Sequence, residues 1–170
     1  MIQQILPFKH LDAPTKIASI VGSPVNIKCE ENLYIRKTIN MIERTMKTKV
    51  PGAFVGRHTE DICPTIHHFA PDVYGREVFL PKGTIVVGKL HKFSHLNILL
   101  KGRVQVVTED GAEEIIAPKI WTSNACIKRL VKALEDSVWL CIHPTDTEDL
   151  DKIEEQHIAT GYAQLARKEV

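Results

Sequence analysis

Two histidines four residues apart, His91 and His95, stand in an apolar stretch of this 170-residue chain. Neutral imidazole nitrogens bind transition metals and exchange protons near neutral pH, so a converging pair is a candidate site. Successive side chains of a strand point to opposite faces, and Lys89 and His91 are therefore expected to face the same way. His95 reaches that face by strict alternation or through a bulge near Phe93 and Ser94. Spacing alone favours the plainer interpretation, structural or surface histidines.

Short apolar segments with strand composition surround these residues and must position them. Tight turns are predicted at Gly102, at Glu109-Asp110-Gly111 and at Glu135-Asp136. About eight strands fit between His68 and His143, with a turn every 8 to 12 residues or so. The segments are 72–80, 84–90, 96–100, 103–108, 113–117, 119–122, 128–133 and 137–143. Many short antiparallel strands at this spacing predict a mainly β fold, either a sandwich or a jelly-roll barrel.

The chain from His67 to about Pro144 resembles a small cupin domain, of the RmlC-like jelly-roll type found among bacteriophage proteins. Gly83, His91 and Gly102 stand at the spacing of the first cupin metal-site motif. Further matching blocks are 68–77, 88–91, 95–97, 102–103, 108–111, 134–139 and 143–144. The resemblance implies an antiparallel jelly-roll barrel over 67–144. It leaves the activity open, because one fold hosts many unrelated functions.

The resemblance also implies four ligand positions, which this chain fills with Lys89, His91, His95 and Arg129. Lys128 takes the place of Arg129 if the register slips by one residue. A guanidinium stays protonated and cannot ligate a cation, and an ammonium does so only after losing its proton. At most two conventional ligands are then expected, His91 and His95. The prediction is that no cofactor is required and that a divalent transition metal such as Zn, Ni or Fe binds weakly.

A third ligand would be needed for a stable transition-metal site, because such sites typically use three protein ligands. His143, His67 and Cys141 are the candidates in this sequence. His143 ends the last predicted strand, so it is expected at the rim of the barrel.

Two fixed positive charges, Lys89 and Arg129, beside the two imidazoles predict a pocket for a small anion such as phosphate, a carboxylate or a nucleotide-linked sugar. The resemblance raises an alternative, a nucleotide-sugar epimerase. His91 or His95 would be its base and Tyr74 its acid, although no Asp partner for the base is evident.

Composition narrows the choice of partner and compartment. The chain has 22 basic and 21 acidic residues and a formal net charge of +1, which provides no global field to attract nucleic acid. The N-terminus lacks the pattern of a signal peptide, and no apolar stretch is long enough to span a membrane. We therefore expect a cytoplasmic protein, in the host cytoplasm or the virion if it is phage-encoded. The four cysteines form no CxxC pair and predict neither a zinc knuckle nor a disulfide framework.

Helices are predicted on both sides of the barrel. Residues 1–66 form an extension in which Ile35, Ile39, Ile42 and Met46 recur at the spacing of an amphipathic helix. Residues 145–170 form a second helix over 147–158, capped by the segment 145–148, and a tail. Jelly-roll edges need covering, and the extension is available to cover them, so a homodimer is favoured over a monomer.

Three classes of function follow. The first is a binding protein for a small anion, without catalysis or with weak metal dependence, of the phage accessory type. The second is a cupin enzyme, metal-dependent or epimerase-like, and the third is a virion structural or interaction protein with a decayed site. Lys89 and Arg129 at two of the ligand positions weigh against a standard metalloenzyme.

Overall fold

The computed structural model describes residues 29–49 and 62–161, most of which are in antiparallel strands. The elements are α1 (Cys29–Lys49), β1 (Thr65–Ala70), β2 (Val73–Leu80), β3 (Ile85–Val87), β4 (Leu90–His91), β5 (His95–Lys101), β6 (Arg103–Thr108), β7 (Gly111–Ile116), β8 (Lys119–Ser123), β9 (Leu130–Ala133), β10 (Ser137–Pro144), α2 (Leu150–His157) and β11 (Ile158–Ala159). The predictions that concern only residues 1–28, 50–61 or 162–170 lie outside the described residues.

The strands form two main sheets and one small ribbon. The five-stranded sheet has the order β1-β2-β10-β5-β8, and the four-stranded sheet has the order β3-β9-β6-β7. β4 pairs with β11 in a separate two-stranded ribbon. The chain crosses between the two main sheets after β2, after β3 by way of β4, and after β5, β7, β8 and β9, and all pairings are antiparallel. The predicted antiparallel jelly roll with two flanking helices is therefore confirmed.

The apolar core lies between the two sheets. Inward residues alternate with outward ones, as the strand period requires, and Leu99, Val104, Val106 and Trp139 are all buried. Trp121 meets the indole of Trp139 edge to face, with ring centroids 4.9 Å apart. Further along the same inward faces the residues become polar, and this change marks where a site can lie.

Two predicted turns are present, one of them with a shifted register. Gly102 has φ +86°, and a Cβ there would lie 2.3 Å from Ser137 Oγ, so this position requires glycine. In the β6–β7 hairpin, Thr108 pairs with Gly111, so Glu109 and Asp110 form the two-residue loop. The Asp-Gly signal predicted Asp110 and Gly111 as the turn residues, so the observed loop lies one residue earlier in the chain. The positive φ of +132° at Gly111 falls on the first residue of β7.

The segment 84–90, predicted as one strand, is interrupted. β3 pairs with β9 only as far as Val87, and Gly88 donates its N–H to the Arg129 carbonyl at 2.8 Å. The chain then leaves the sheet, and β4 takes β11 as its partner. Strict alternation across residues 88 and 89 is lost because the hydrogen-bonding partner changes there.

The predicted N-terminal helix is confirmed as α1, and its buried face includes Ile35 and Ile39. Two ion pairs tie α1 to the barrel, Arg36 with the buried Glu109 and Glu43 with Lys128. Burial raises the pKa of Glu43, but its hydrogen bonds and charge interactions with Lys128 and Lys47 outweigh that effect and hold the pKa below its usual value.

The C-terminal helix is also confirmed, with a corrected start. α2 begins at Leu150, and the Asp149 side chain caps it by accepting from the backbone N–H groups of Asp151 and Lys152. The cap was predicted at 145–148. Thr145 and Thr147 instead form turns before the helix, because their hydroxyls accept from backbone N–H groups two residues further on.

Candidate metal centre

Three histidines from three different strands converge at the polar end of the barrel. His91 ends β4, His95 begins β5 after a bend at Lys92 and Phe93, and His143 lies near the end of β10. The bend returns His95 to the inward face, so the irregularity expected near Phe93 and Ser94 is present instead of strict alternation. His95 and His143 are buried, and His91 is partly buried.

The geometry is that of an open metal site. One ring nitrogen of each histidine lies within 4.8 Å of a nitrogen from each of the other two. The Nδ1 atoms of His91 and His95 are 3.1 Å apart. The ring centroid of His143 lies 5.1 Å from that of His91 and 4.6 Å from that of His95.

Burial keeps these imidazoles neutral. Desolvation, reinforced by the neighbouring histidines, lowers the pKa of His91 to about 2 and that of His143 to about 3. Desolvation also lowers the pKa of His95 to about 4, although contacts with the Phe93 carbonyl and with Asn97 act in the opposite direction. At neutral pH a metal ion therefore competes with no proton for these three nitrogens.

His95 provides the test of whether a metal fits. Its Nδ1–H donates to the Phe93 carbonyl at 3.3 Å, and this tautomer leaves a lone pair on Nε2. Nε2 is buried and has no hydrogen-bond partner in the part of the chain that the structure describes. A metal-ligating histidine typically donates its other N–H to a carbonyl in this way. An unpartnered buried acceptor costs about 1–3 kcal/mol, which a bound cation would remove. The residues present therefore fit a divalent transition metal.

Cationic side chains lie next to the three histidines. The charge of Arg129 lowers the pKa values of both His91 and His95, and Arg129 itself is partly buried. Burial lowers the pKa of Arg129, while Cys141 and Glu113 act to raise it. Arg76 acts on His143 and shares the inward face of β2 with the buried residues Tyr74 and Val78. Arg76 was missed by sequence reasoning, although its period-two spacing from Tyr74 would have placed it there.

Tyr74, predicted from the sequence to bind a ligand, lies beside the three histidines and also contacts His67. It is buried opposite His143 in the β2–β10 register, with ring centroids 6.3 Å apart. Its hydroxyl is 2.8 Å from Nδ1 of His67, whose ring stacks on it with centroids 5.8 Å apart. His67 is thus placed against Tyr74 and outside the group of three that could hold a metal ion.

Lys89 is placed differently from the prediction that it faces inward with His91. Its Nζ lies 2.7 Å from Oε1 of Glu154 on α2, and the two side chains are 38% and 42% exposed. The physical reason is the break after β3, which removes the alternation on which the prediction was based.

A buried polar layer separates the three histidines from the apolar core. Asn97 Oδ1 accepts from the Trp139 indole at 2.9 Å and from the Cys141 thiol at 3.2 Å. Burial raises the pKa of Cys141, so the thiol stays protonated at neutral pH and acts as a donor here. Cys141, a candidate third ligand by sequence, therefore belongs to this layer. Asn97 was missed, because nothing in its local sequence indicates an asparagine with no exposed surface.

His143 is the third histidine of the group that could hold a metal ion, so three conventional donors converge where the motif positions offered at most two. His143 was predicted at the rim, yet it is only 6% exposed. β10 continues to Pro144 and stays paired with β2 up to Val73, so residue 143 still lies inside the barrel. A sequence argument could have found it from the period-two spacing that places Trp139, Cys141 and His143 on one face.

Sequence comparisons identify no relative: no protein-family profile and no curated protein matches this chain. Solved structures similar to it are cupin-domain proteins. A cupin-2 domain protein from Shewanella frigidimarina has a TM-score of 0.40 and 16% identity over 49% of this chain and 79% of its own. A cupin superfamily protein from Desulfitobacterium hafniense has a TM-score of 0.44 and 14% identity over 55% and 85%. A cupin described as a sugar phosphate isomerase, from Silicibacter pomeroyi, has a TM-score of 0.45 and 12% identity over 54% and 66%.

The resemblance to phage proteins gains no support from these structures. Within residues 29–49 and 62–161, neither helix is long and apolar enough to cross a membrane. Among the described cysteines, Cys63, Cys126 and Cys141 carry free thiols.

Proposed function

We propose that this protein binds one divalent transition metal through His91, His95 and His143 and holds a small anion at that metal. The observation that carries the proposal is the convergence of three ring nitrogens within 4.8 Å of one another in a buried site. Imidazole donors suit Zn, Ni and Fe. Three protein ligands leave at least one coordination position open, which is the arrangement of a site that exchanges ligands.

Two partly buried cations favour an anionic ligand. The positive charge of Arg129 lowers the pKa values of His91 and His95, and that of Arg76 lowers the pKa of His143. A guanidinium binds carboxylate or phosphate oxygens through two parallel N–H donors. The metal would act as a Lewis acid on the bound oxygen. The chain's own contribution is to orient the anion with Arg129 and to exclude water by burying the imidazoles.

A metal-dependent enzyme is the second candidate, and Tyr74 favours it. Its hydroxyl is hydrogen-bonded to His67 and its ring lies against His143, so a group able to hold or pass a proton stands next to the site. An epimerase would need a histidine–aspartate base, whereas among the described residues the ring neighbours of His91 and His95 are other imidazoles. The phage accessory or virion role rests on the sequence resemblance alone.

Metal titration of chelator-treated protein tests the proposal. Calorimetry with Zn²⁺ and Ni²⁺, and the visible spectrum of added Co²⁺, should show one metal per chain with nitrogen ligation. Replacing any one of the three histidines by alanine should weaken binding at least about tenfold, because each removes a third of the protein ligands. His68→Ala is the matched control, since it removes an exposed imidazole that pairs with Glu77. Equal metal binding by the wild type and a His91/His95/His143 triple alanine variant would refute the proposal.

A second measurement tests the anion. Thermal shifts of the metal-loaded protein are recorded with phosphate, dicarboxylates, nucleotides and nucleotide sugars. A ligand at a hundred times its Kd stabilises by about 2.7 kcal/mol through mass action. Arg129→Met should reduce that shift, whereas Lys101→Met, at an exposed position of β5, should leave it unchanged. A flat response to every anion would leave metal binding without an anionic ligand.

A further inference from the structure

The C-terminal strap, defined here as α2 and β11 (residues 150–159), is attached to the strand that carries His91. β11 pairs with β4, with Ile158 opposite His91 and Ala159 opposite Leu90. The Lys89–Glu154 ion pair fixes the strap a second time next to β4. β4 belongs to neither main sheet, so the strap is its only ladder partner among the described strands. The strap is therefore one of two backbone supports of His91, the other being the Cys126 N–H, which donates to the His91 carbonyl at 2.9 Å.

His157 connects the strap to two ligand strands at once. Its backbone carbonyl accepts from the N–H of Lys92, the residue after His91, at 2.8 Å. Its ring Nε2–H donates to the carbonyl of Pro144, the residue after His143, also at 2.8 Å. The ring is buried against His143, with centroids 5.0 Å apart. One residue of the strap thus holds β4 and β10 at the spacing that brings His91 and His143 together.

This arrangement does more than a helix end requires. Three carbonyls at the end of α2 already have donors: Glu154 accepts from the Ile158 N–H, Glu155 from Lys92 Nζ, and His157 from the Lys92 N–H. The His157 side chain does not cap the helix and instead contacts the Pro144 carbonyl and the His143 ring. Its ring fills the space beside His143, and its N–H satisfies a carbonyl on the strand that carries this ligand.

We propose that His157 is a positioning residue and that docking of the C-terminal strap is thermodynamically linked to metal occupancy. The proposal rests on the metal site proposed above. If the docked strap sets the spacing of His91 and His143, metal binds the docked state more tightly than the undocked one. By reciprocity, the metal must hold the strap down by the same factor.

Hydrogen–deuterium exchange of the strap, measured with and without Zn²⁺, tests the linkage on the full chain. Amides of residues 150–159 should exchange more slowly by a factor of about 10 to 100 when zinc is bound, the range expected for groups that support metal ligands. His157→Leu keeps the buried volume but removes the donor to Pro144, so it should weaken Zn²⁺ affinity by a similar factor and abolish the zinc-dependent protection. His157→Gln retains an N–H donor and should restore most of both. Glu155→Gln, an exposed side chain on the same helix, is the control and should behave as the wild type.

The outcomes separate this proposal from the proposed function. Tight zinc binding by the wild type with equal affinity in His157→Leu, or with no change in strap exchange, would overturn the linkage and leave the metal site standing. Absence of zinc binding in the wild type would overturn both. If His157→Leu is poorly folded, zinc-dependent protection of the strap in the wild type still decides the linkage, because an unlinked strap would exchange at the same rate with and without zinc. The zinc affinity of His157→Gln relative to His157→Ala then decides whether the donor to Pro144 positions the site.

Discussion

Acid should destabilise the metal-free protein well above the pH at which most carboxylates titrate. The pKa values of His91, His95 and His143 are lowered from 6.5 to about 2, 4 and 3. Between pH 6.5 and 4 the unfolded chain therefore binds protons at three positions that the folded chain keeps neutral. Stability is complete above pH 6.5 and is lost as the pH falls, because proton binding favours the unfolded state.

The size of the effect follows from the proton count. Each pKa unit corresponds to 1.36 kcal/mol, so at pH 5 one histidine with an unfolded pKa of 6.5 costs about 2 kcal/mol. Three of them give an upper value of about 6 kcal/mol, and water reaching the partly buried His91 reduces it. Even half of that value is a large fraction of the 5–15 kcal/mol or so that stabilises an ordinary domain. Glu43 adds to the loss only at lower pH, because its pKa is already below 4.5.

Urea unfolding at pH 7, 6, 5.5 and 5 in the presence of a chelator measures this dependence. The limiting slope should be about 4 kcal/mol per pH unit in the wild type and about 2.7 in His143→Gln, which removes one of three titrating groups. His68→Gln, at an exposed position, should keep the wild-type slope. An unfolding free energy that stays constant from pH 7 to 5 would show that water reaches the three imidazoles, and the description of a buried site would be wrong.

Four further predictions concern the frame and the assembly. Asn97→Leu should destabilise by about 1–3 kcal/mol in urea unfolding, because the buried indole and thiol lose their acceptor; a change below about 0.5 would contradict the polar layer. Gly102→Ala should lower the free energy of unfolding by about 2–4 kcal/mol, because the new Cβ would lie 2.3 Å from the nearest side-chain atom. Gly111→Ala, whose Cβ would meet nothing within 4 Å, should lower it only by the backbone strain of about 1–2 kcal/mol. Light scattering should give twice the chain mass of 19.2 kDa, and Ile120→Asp, on an exposed sheet face, should lower the measured mass toward that of a monomer. A wild-type mass of one chain would refute the homodimer. Co²⁺ should bind about 5- to 150-fold more tightly when a saturating anion is present, and Arg129→Met should reduce that factor; equal affinity with and without the anion would exclude the coupling.

The sequence was informative wherever one local rule decided the structure. Alternation and the turn signals located most of the strands, and the Glu109-Asp110-Gly111 signal located the β6–β7 hairpin. The turns at Gly102 and at Glu135-Asp136 instead join strands of different sheets, and local signals do not predict the long-range pairings of those strands. His91 and His95 were recognisable because they are four residues apart. The pairing of either with His143 was not, because it depends on the register between β2 and β10 and on how far β10 continues.

The errors occurred where a hydrogen-bonding partner changes. Lys89 was assigned to the inward face on the assumption of one continuous strand, and the chain leaves the sheet one residue earlier. The two-residue strand β11 has no sequence signal of its own, since two residues show no periodicity. The contribution of the C-terminal strap to the site could therefore be found only from the three-dimensional pairing of Ile158 with His91.

The charges of the site indicate why an anion completes it. Carboxylates commonly offset the charge of a bound metal, but the three ligands here are neutral imidazoles. A divalent ion added to them would face Arg129 and Arg76 in surroundings dry enough to lower three histidine pKa values. Like charges interact strongly when water is excluded. An anion bound between the metal and the guanidinium groups turns that repulsion into attraction, so metal and anion should each bind best in the presence of the other.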